Sequence, residues 1–335
     1  MSHRVVTYNL LSSRLARPDY FTSCRPEDLD AGVRLPKILA ALQGEVEREA
    51  ILCLQEVSTE WVGELHKFFA GHNYHLMTAL YGGRKSGYMG VAMAIPRERY
   101  ILDQVVIERL SDTRTWSRLS HWTVVLRNGL HALVRMVRAG FQVEHPQTFA
   151  RRRYNQHIFV RLRDRQTLES FCVGNYHMPC LFFVAQVMTI HLGMLMQRMC
   201  VLANADPLIV TGDFNIRPRT PHYDFLVSGH LPADAPEYPA LLPGDPWRPD
   251  LPHGFASAYA QALGEEPAFT NYSMIKDHDP FCDTLDYIWL SREWSTVSVR
   301  PLPTLDQVGS PLPNAHYPSD HLLLAAEVAM APGSI

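Results

Sequence analysis

Six short apolar runs, spread from one end of this chain to the other, each end or begin in a polar residue, and that arrangement restricts what it can fold into. Arg4-Val5-Val6-Thr7-Tyr8 leads to Asn9, and Ala50-Ile51-Leu52-Cys53-Leu54-Gln55 leads to Glu56. Ser170-Phe171-Cys172-Val173-Gly174-Asn175-Tyr176 leads to His177, and Pro207-Leu208-Ile209-Val210-Thr211 leads to Gly212-Asp213-Phe214-Asn215. Asp286 lies within Thr284-Leu285-Asp286-Tyr287-Ile288-Trp289-Leu290, and Asp320-His321 opens Leu322-Leu323-Leu324-Ala325-Ala326-Glu327-Val328. Runs this short and this rich in β-branched and apolar residues read as buried strands. A Gly-Asp at a strand end is, alone, often only a turn. Six runs delivering Asn, Glu, His, Asp, Asn, Asp, Asp and His form an inventory suited to a hard metal ion and a phosphate.

The first of these residues is at position 9 and the last at 321, so one site requires the whole chain. A single domain over residues 1–335 is therefore expected, a size that one large β-sandwich can reach. Asn9, Glu56 and Asp213 follow their strands, whereas Asp320 and His321 precede theirs. For all five to meet at one mouth, the last strand must run against the other three, which demands mixed pairing. Between the strands, residues 33–48 read as a helix with Leu35, Ile38, Leu39, Leu42 and Val46 on one side. Residues 58–69 read as a helix capped by Ser58, and 186–202 as a Met- and Leu-rich crossover helix. Residues 26–28 read as a loop, 87–95 as a further strand, and the proline-rich stretch 229–254 as a surface loop. Periodicity alone says α/β or α+β.

The formal net charge of −3 suggests no polyanionic partner, but its distribution does. From Arg97 to Arg165 there are 14 arginines against six acidic residues. A basic segment beside an acidic body fits a protein that handles a polyanion; solvated surface arginines are the bland alternative. The six cysteines show no Cys-x-x-Cys spacing, and Cys53 and Cys172 sit in apolar strands, as reduced thiols do in a reducing compartment. The first strand begins almost at Met1, so no signal or transit peptide is expected, and no apolar run is long enough for a membrane span. Cytoplasmic placement, or nuclear, follows as the expectation.

In their order these motifs resemble the endonuclease/exonuclease/phosphatase superfamily of Mg²⁺-dependent phosphoesterases. Within it they are similar to the group of carbon-catabolite-repression-type deadenylases, nocturnin, angel and the 2′,5′-phosphodiesterase. Thr7-Tyr8-Asn9-Leu10-Leu11, Leu54-Gln55-Glu56-Val57, Gly212-Asp213-Phe214-Asn215, Phe269-Thr270-Asn271-Tyr272, Thr284-Leu285-Asp286-Tyr287-Ile288-Trp289 and Pro318-Ser319-Asp320-His321 carry the resemblance. It implies a four-layer α-β-β-α sandwich of two mixed sheets flanked by helices. It also implies one or two Mg²⁺ ions, with Mn²⁺ as a substitute, held by Glu56 with Asn9 beside it, and Asp286 either holding a second ion or fixing His321. Asp213 is then the general base, Asn215 orients the water or donates to a phosphoryl oxygen, His177 and His321 stabilise charge at phosphorus, and Asp320 orients a histidine or completes the acidic cluster.

Substrate contacts implied by the resemblance are Phe281 and Pro179 as walls around a base, with Asn215 supplying an amide and Asn271 nearby. Arg151, Arg152 and Arg153 with Tyr154 are read as a phosphate track, and Arg84-Lys85 in the turn after Tyr81 as a second. The usual Thr-His-Leu is here Tyr176-His177-Met178-Pro179, and the usual Asp-Gly-Cys-Ala is Gly87-Tyr88-Met89-Gly90-Val91-Ala92, which unsettles any poly(A) preference. No leucine-rich repeats precede the motifs, so no docking module of that kind is expected. The reading is a 3′→5′ exoribonuclease acting on single-stranded RNA and releasing nucleoside 5′-monophosphates. A phosphatase or phosphodiesterase acting on a small ester (a dinucleotide 2′-phosphate, a 2′,5′-oligonucleotide or an inositol phosphate) is the alternative. A catalytically silent RNA-binding scaffold is the reading from a different class.

Overall fold

Apolar strands with one face toward each other and one toward helices build two six-stranded mixed sheets. The computed structural model describes residues 1–82, 89–117, 145–276 and 278–331. The first sheet contains β1 (Ser2–Asn9), β2 (Ile51–Ser58), β3 (Tyr74–Tyr81), β4 (Met89–Pro96), β13 (Trp294–Val299) and β14 (Leu324–Met330), in the order β13-β14-β1-β2-β4-β3. The second contains β5 (Tyr100–Arg109), β6 (Gln156–Asp164), β7 (Ser170–His177), β8 (Leu208–Asp213), β9 (Ala256–Ser257) and β12 (Asp286–Leu290), in the order β5-β6-β7-β8-β12-β9. A small hairpin of β10 (Asn271–Ser273) and β11 (Phe281–Asp283) stands at one end.

The inner faces make a dry layer in which Val5, Ile51, Val91 and Met93 meet Val160, Val173, Ile209 and Ile288, all fully buried. The helices Ala31–Val46 and Val62–Gly71 cover the outer face of the first sheet through Ile38, Leu42, Leu65 and Phe69. The helix Ala185–Ala203 crosses over between the parallel strands β7 and β8 and buries Met188, Met194, Met196 and Met199 against the second sheet. This is the expected four-layer sandwich, and the methionines are core.

The inferred directions hold for the strands of Asn9, Glu56 and His321. β1 and β2 are parallel, and β14 runs against β1. Asp213, however, ends β8 in the second sheet, so the polar cluster is assembled from both sheets rather than one. One polar bridge crosses the apolar layer beneath it. Gln55 Nε2 donates to Asn175 Oδ1 at 2.7 Å, and Asn175 Nδ2 returns bonds to the Leu54 and Ala92 carbonyls. Fully paired buried amides of this kind fix one register of sheet on sheet.

Local departures have physical causes. Residues 26–29 form a short helix instead of a loop, with Pro26 at its first turn, where a missing N–H costs nothing. Ser58 does not cap a helix; its hydroxyl accepts the Ser13 N–H at 2.7 Å, and a 3-10 turn, Thr59–Trp61, comes first. Asp320 and His321 lie ahead of β14, where His321 bridges Asn271. Residues 229–254 contain no helix or strand and lie over the helix Ala185–Ala203, where Trp247 Nε1 donates to Gln197 at 2.7 Å. Arg84, Lys85, Gly87 and Tyr88 fall outside the described residues, as does the middle of the Arg97–Arg165 segment. Among the described residues no helix is long and apolar enough to cross a membrane.

Candidate active site

Parallel strands β7 and β8 end at one edge of the second sheet, and β1 and β2 end opposite them in the first. The last residues of three of these strands, Asn9, His177 and Asp213, are thereby brought together. Glu56 needs a further device. The register of β2 slips between Leu54 and Val57, and Glu56 has φ +53°, a left-handed conformation uncommon for a residue with a side chain. Such a bulge re-aims a side chain out of the pleat, and strain of this kind is retained where the position matters. Asn215 is similarly placed at φ +51°. Gly212 is demanded by packing, because a Cβ there would lie 1.9 Å from the Tyr176 carbonyl oxygen.

Asn9 Nδ2 donates to Asp213 Oδ2 at 3.0 Å and to Glu56 Oε1 at 3.3 Å, while its Oδ1 accepts the Leu11 N–H at 2.9 Å. That backbone donor fixes the orientation of the amide, so Asn9 presents its NH₂ to the two carboxylates. Expected beside Glu56 as a ligand, Asn9 lies next to it, between Glu56 and Asp213. The Ser12 N–H holds the other Glu56 oxygen at 2.9 Å. Glu56 keeps 12% of its side chain open, whereas Asp213 and Asp286 are buried.

His177 Nε2 lies 3.5 Å from Asp213 Oδ2 and 3.9 Å from Glu56 Oε1. Its Nδ1 shares a 3.3 Å hydrogen bond with the Tyr81 hydroxyl, and Asn155 Nδ2 donates to its carbonyl at 2.8 Å. Opposite, His321 Nδ1 bonds Asp286 Oδ2 at 2.8 Å, and its Nε2 lies 3.7 Å from Asp213 Oδ2. Thr270 clamps Asp286: its hydroxyl donates to Oδ2 at 2.6 Å and accepts the Leu285 and Asp286 N–H groups. Asp320 Oδ2 accepts from Asn271 Nδ2 at 3.3 Å.

Burial and crowding of like charge set the protonation. Burial, reinforced by Asp286 and opposed by His321 and His177, pushes the Asp213 carboxyl up to about 6. Burial raises Asp320 as well, with Glu56 adding to it. Burial alone would depress His321, but Asp286, Asp320 and Asp213 together outweigh it and hold the imidazole well above the usual histidine range. His321 thus stands as an imidazolium inside an acidic cage.

Asp213, Asp286 and His321 each offer an atom within 4.8 Å of the others. A protonated His321 is a poor ligand, so the oxygens are the candidate donors. Asp286 Oδ1 and Asp320 Oδ1 are buried without a hydrogen-bond partner, and Glu56 faces the opening. Carboxylate oxygens with unspent lone pairs, in a cage of excess negative charge, fit a hard divalent cation.

The expected substrate contacts divide. Phe281 is half-buried and lines a pocket of about 280 Å³ with Tyr20, Lys276 and His278. Pro179 is buried, and Asn215 Nδ2 is bonded to the Met178 carbonyl at 2.9 Å, so Asn215 fastens the loop that carries Pro179. Asn271 is used up within the site, donating to Asp320 and accepting from Ser273. Arg151, Arg152 and Tyr154 are exposed and Arg153 partly so, immediately before Asn155, which touches His177. Sequence reading assigns no role to Tyr81 or Arg34, whereas Thr270 stands within the Phe269-Thr270-Asn271-Tyr272 motif and Asn155, after the arginine run, is a weak candidate. The buried Arg34 holds the Leu10, Leu11 and Pro318 carbonyls, joining the two loops that bear Asn9 and Asp320. For Tyr81 the signal is its position at a strand end, beside Gly82.

The sequence profile of the Endonuclease/Exonuclease/phosphatase family matches residues 6–321. The chain is 34% identical over 135 residues to the 3′-5′-exoribonuclease subunit Ccr4 of the CCR4-Not complex of Coccidioides immitis, a match covering 38% of this chain and 17% of that protein. The Ccr4 subunit of Aspergillus fumigatus is 38% identical over 127 residues, covering 36% and 17%. The chain therefore matches less than a fifth of these relatives' length. Among solved structures, ANGEL2, a 2′,3′-cyclic phosphatase in complex with adenosine-2′,3′-vanadate, superposes with a TM-score of 0.73 at 20% identity, covering 98% of this chain and 96% of that one. The human Nocturnin catalytic domain, with bound sulfate, gives 0.63 at 19% identity, covering 98% and 95%.

Proposed function

The chain belongs to the Endonuclease/Exonuclease/phosphatase family, and from that premise we propose that it is a Mg²⁺-dependent 3′→5′ exoribonuclease releasing nucleoside 5′-monophosphates. The observation that carries this is the convergence of Asn9, Glu56, His177, Asp213, Asp286 and His321 from both sheets into one buried polar cluster. Glu56 and the free oxygens of Asp286 and Asp320 would hold the cation. When bound, Mg²⁺ supplies charge relief at the phosphoryl group and at the departing oxygen, worth several kcal/mol.

The chain's own residues do the remaining work. Asp213, buried and raised to about 6, takes a proton from water aligned for in-line attack, and near neutral pH it is ionised yet basic enough to do so. Its Oδ1 is fixed by the Asn215 N–H at 2.9 Å, and Oδ2, which accepts from Asn9 at 3.0 Å, offers its second lone pair to the water. His321, held cationic, and the Nε2 edge of His177 supply N–H groups where negative charge grows on phosphorus. The bond from phosphorus to the 3′-oxygen breaks and that oxygen takes a proton from solvent, leaving a 5′-monophosphate and a shortened strand with a free 3′-hydroxyl.

The partial identity to Ccr4 subunits supports RNA as the substrate class, and the pocket beside Phe281 supports a base subsite. The test is incubation with end-labelled oligo(A) and oligo(U), with Mg²⁺ or EDTA, and product analysis. Stepwise 5′-monophosphate release that EDTA abolishes is expected; metal-independent cleavage, or no cleavage of any RNA, overturns the reading. A second reading, a small phosphate ester as substrate, is favoured by the confined size of that pocket. It gains support if such an ester turns over while RNA does not.

A further inference from the structure

The phenylalanines exposed among the described residues are two neighbours, a few residues beyond the site residue His177. Phe182 is 51% and Phe183 81% exposed. They occupy the 3-10 turn Phe182–Val184, reached from His177 through Met178, Pro179, Cys180 and Leu181. The residues before the turn are tied down: the Met178 N–H donates to the Asp213 carbonyl at 2.8 Å and its carbonyl accepts from Asn215. After the turn, the chain enters the buried crossover helix. A tethered path thus presents two aromatic rings to solvent, forgoing the burial that apolar side chains favour.

Topology shows what lies beside them. β6 starts, β7 and β8 end, and β12 starts at the same edge of the second sheet, because β6 and β12 are antiparallel to β7 and β8 respectively. Four groups therefore follow one another along that edge. Ahead of β6 stands Tyr154, 62% exposed, with the Arg109 guanidinium 5.0 Å over its ring. After β7 come Phe182 and Phe183. After β8 come the exposed Arg217, 3.9 Å from Asp283, and the exposed Arg219. Ahead of β12 is Phe281. At about 4.8 Å per strand the four strand ends span roughly 14 Å, and Asp213 is the end of one of them.

Resting on the RNA reading above, we propose that Phe182 and Phe183 are a base-stacking platform for single-stranded RNA, on the β7 side of Asp213, opposite the Phe281 subsite. Alternating rings and guanidinium groups match a chain of bases joined by phosphates, since rings accept any base face and cations follow the backbone. A small ester would leave the two phenylalanines unused; an oligonucleotide covers both sides of the scissile linkage. The platform makes the site selective for length.

The test is binding of a fluorescent oligo(A) decamer by anisotropy in EDTA, which needs no turnover and so separates this proposal from the exonuclease reading. Combined Phe182→Ala and Phe183→Ala should weaken binding about 5- to 150-fold, the effect of one stacked base, with a smaller loss for the dinucleotide ApA. Phe183→Trp should restore binding where Phe183→Leu does not, because leucine keeps apolar area but not a ring face. Unchanged decamer affinity, an equal loss for decamer and dinucleotide, or full rescue by leucine would each overturn the platform. If the decamer binds through the rings but is never cleaved, the exonuclease reading fails and the platform stands.

Discussion

Strand β1 carries a buried polar residue at each end, and the two ends behave in opposite ways. At its start His3 is fully buried among Tyr100, Phe171 and Trp294, its Nδ1 2.9 Å from the Tyr100 hydroxyl and 3.9 Å from Asp164. Burial, with Arg99 adding to it and Asp164 opposing, pushes His3 down to about 4. At the other end, roughly 20 Å along the strand, Asn9 opens the cluster in which three carboxylates hold His321 well above the usual range. Both ends contain a buried histidine, a buried aspartate and polar atoms lacking partners, such as His3 Nε2 and Asp164 Oδ2 against Asp286 Oδ1 and Asp320 Oδ1. The excess of charge separates them. One aspartate balanced by Arg99 makes a neutral structural plug, whereas Glu56, Asp213, Asp286 and Asp320 around one imidazolium leave negative charge for a cation to neutralise.

Removing charge at the active end should therefore cost catalysis and spare the fold. Asp213→Ala is expected to lower kcat by about 10²–10⁴-fold. The same substitution should leave the melting temperature in EDTA unchanged or higher, because it deletes a buried carboxylate crowded by Asp286. Glu56→Ala should remove the stabilisation that Mg²⁺ gives, about 2.7 kcal/mol at a hundredfold excess over Kd, measured as a thermal shift. A shift surviving in Glu56→Ala would place the cation elsewhere.

The plug should show the reverse. His3 titrates near 6.5 when unfolded and about 4 when folded, so the unfolded chain binds the extra proton between those values. Stability is then full above pH 6.5 and falls as pH drops toward 4, by about 3 kcal/mol from this residue. His157 and His191, likewise held to about 4 by burial, steepen the same limb. Urea unfolding from pH 7.5 to 4.5 should show a shallower decline in His3→Leu, with kcat/KM and the Mg²⁺ shift as in the parent. An effect on turnover would mean the two ends are linked through β1.

How much of this was legible in the sequence follows the same division. The active end announced itself, because Asn9, Glu56, Asp213, Asp286 and His321 sit at strand ends in a chain otherwise rich in apolar runs, and strand direction followed from which side of each run they occupy. The bulge that turns Glu56, the orientation of the Asn9 amide and the seat of Asp213 in the opposite sheet were not legible, since they depend on pairing register rather than on residue type. His3 gave no signal at all, because a histidine ahead of an apolar run reads as a surface residue until Phe171 and Trp294 close over it. Phe182 and Phe183 were hidden for the converse reason: an apolar pair before an apolar helix reads as core.

Tyr81 offers the smallest and sharpest test of what sets the active end apart. It is buried, and its hydroxyl reaches His177 Nδ1 at 3.3 Å, while burial pushes the phenol far above its ordinary range, so it remains protonated. A hydroxyl that donates to Nδ1 would favour the tautomer with its proton on Nε2, the edge 3.5 Å from Asp213, as a donor toward a phosphoryl oxygen. Tyr81→Phe removes that preference without emptying the space. The expected loss is about 1 kcal/mol, roughly fivefold in kcat, with KM unchanged. Nitrogen-15 shifts of His177 should move from a single Nε2-protonated form to a mixture of tautomers. A fivefold loss without that mixture would assign Tyr81 to packing alone, and an Nδ1-protonated parent would reverse the donor role assigned to His177.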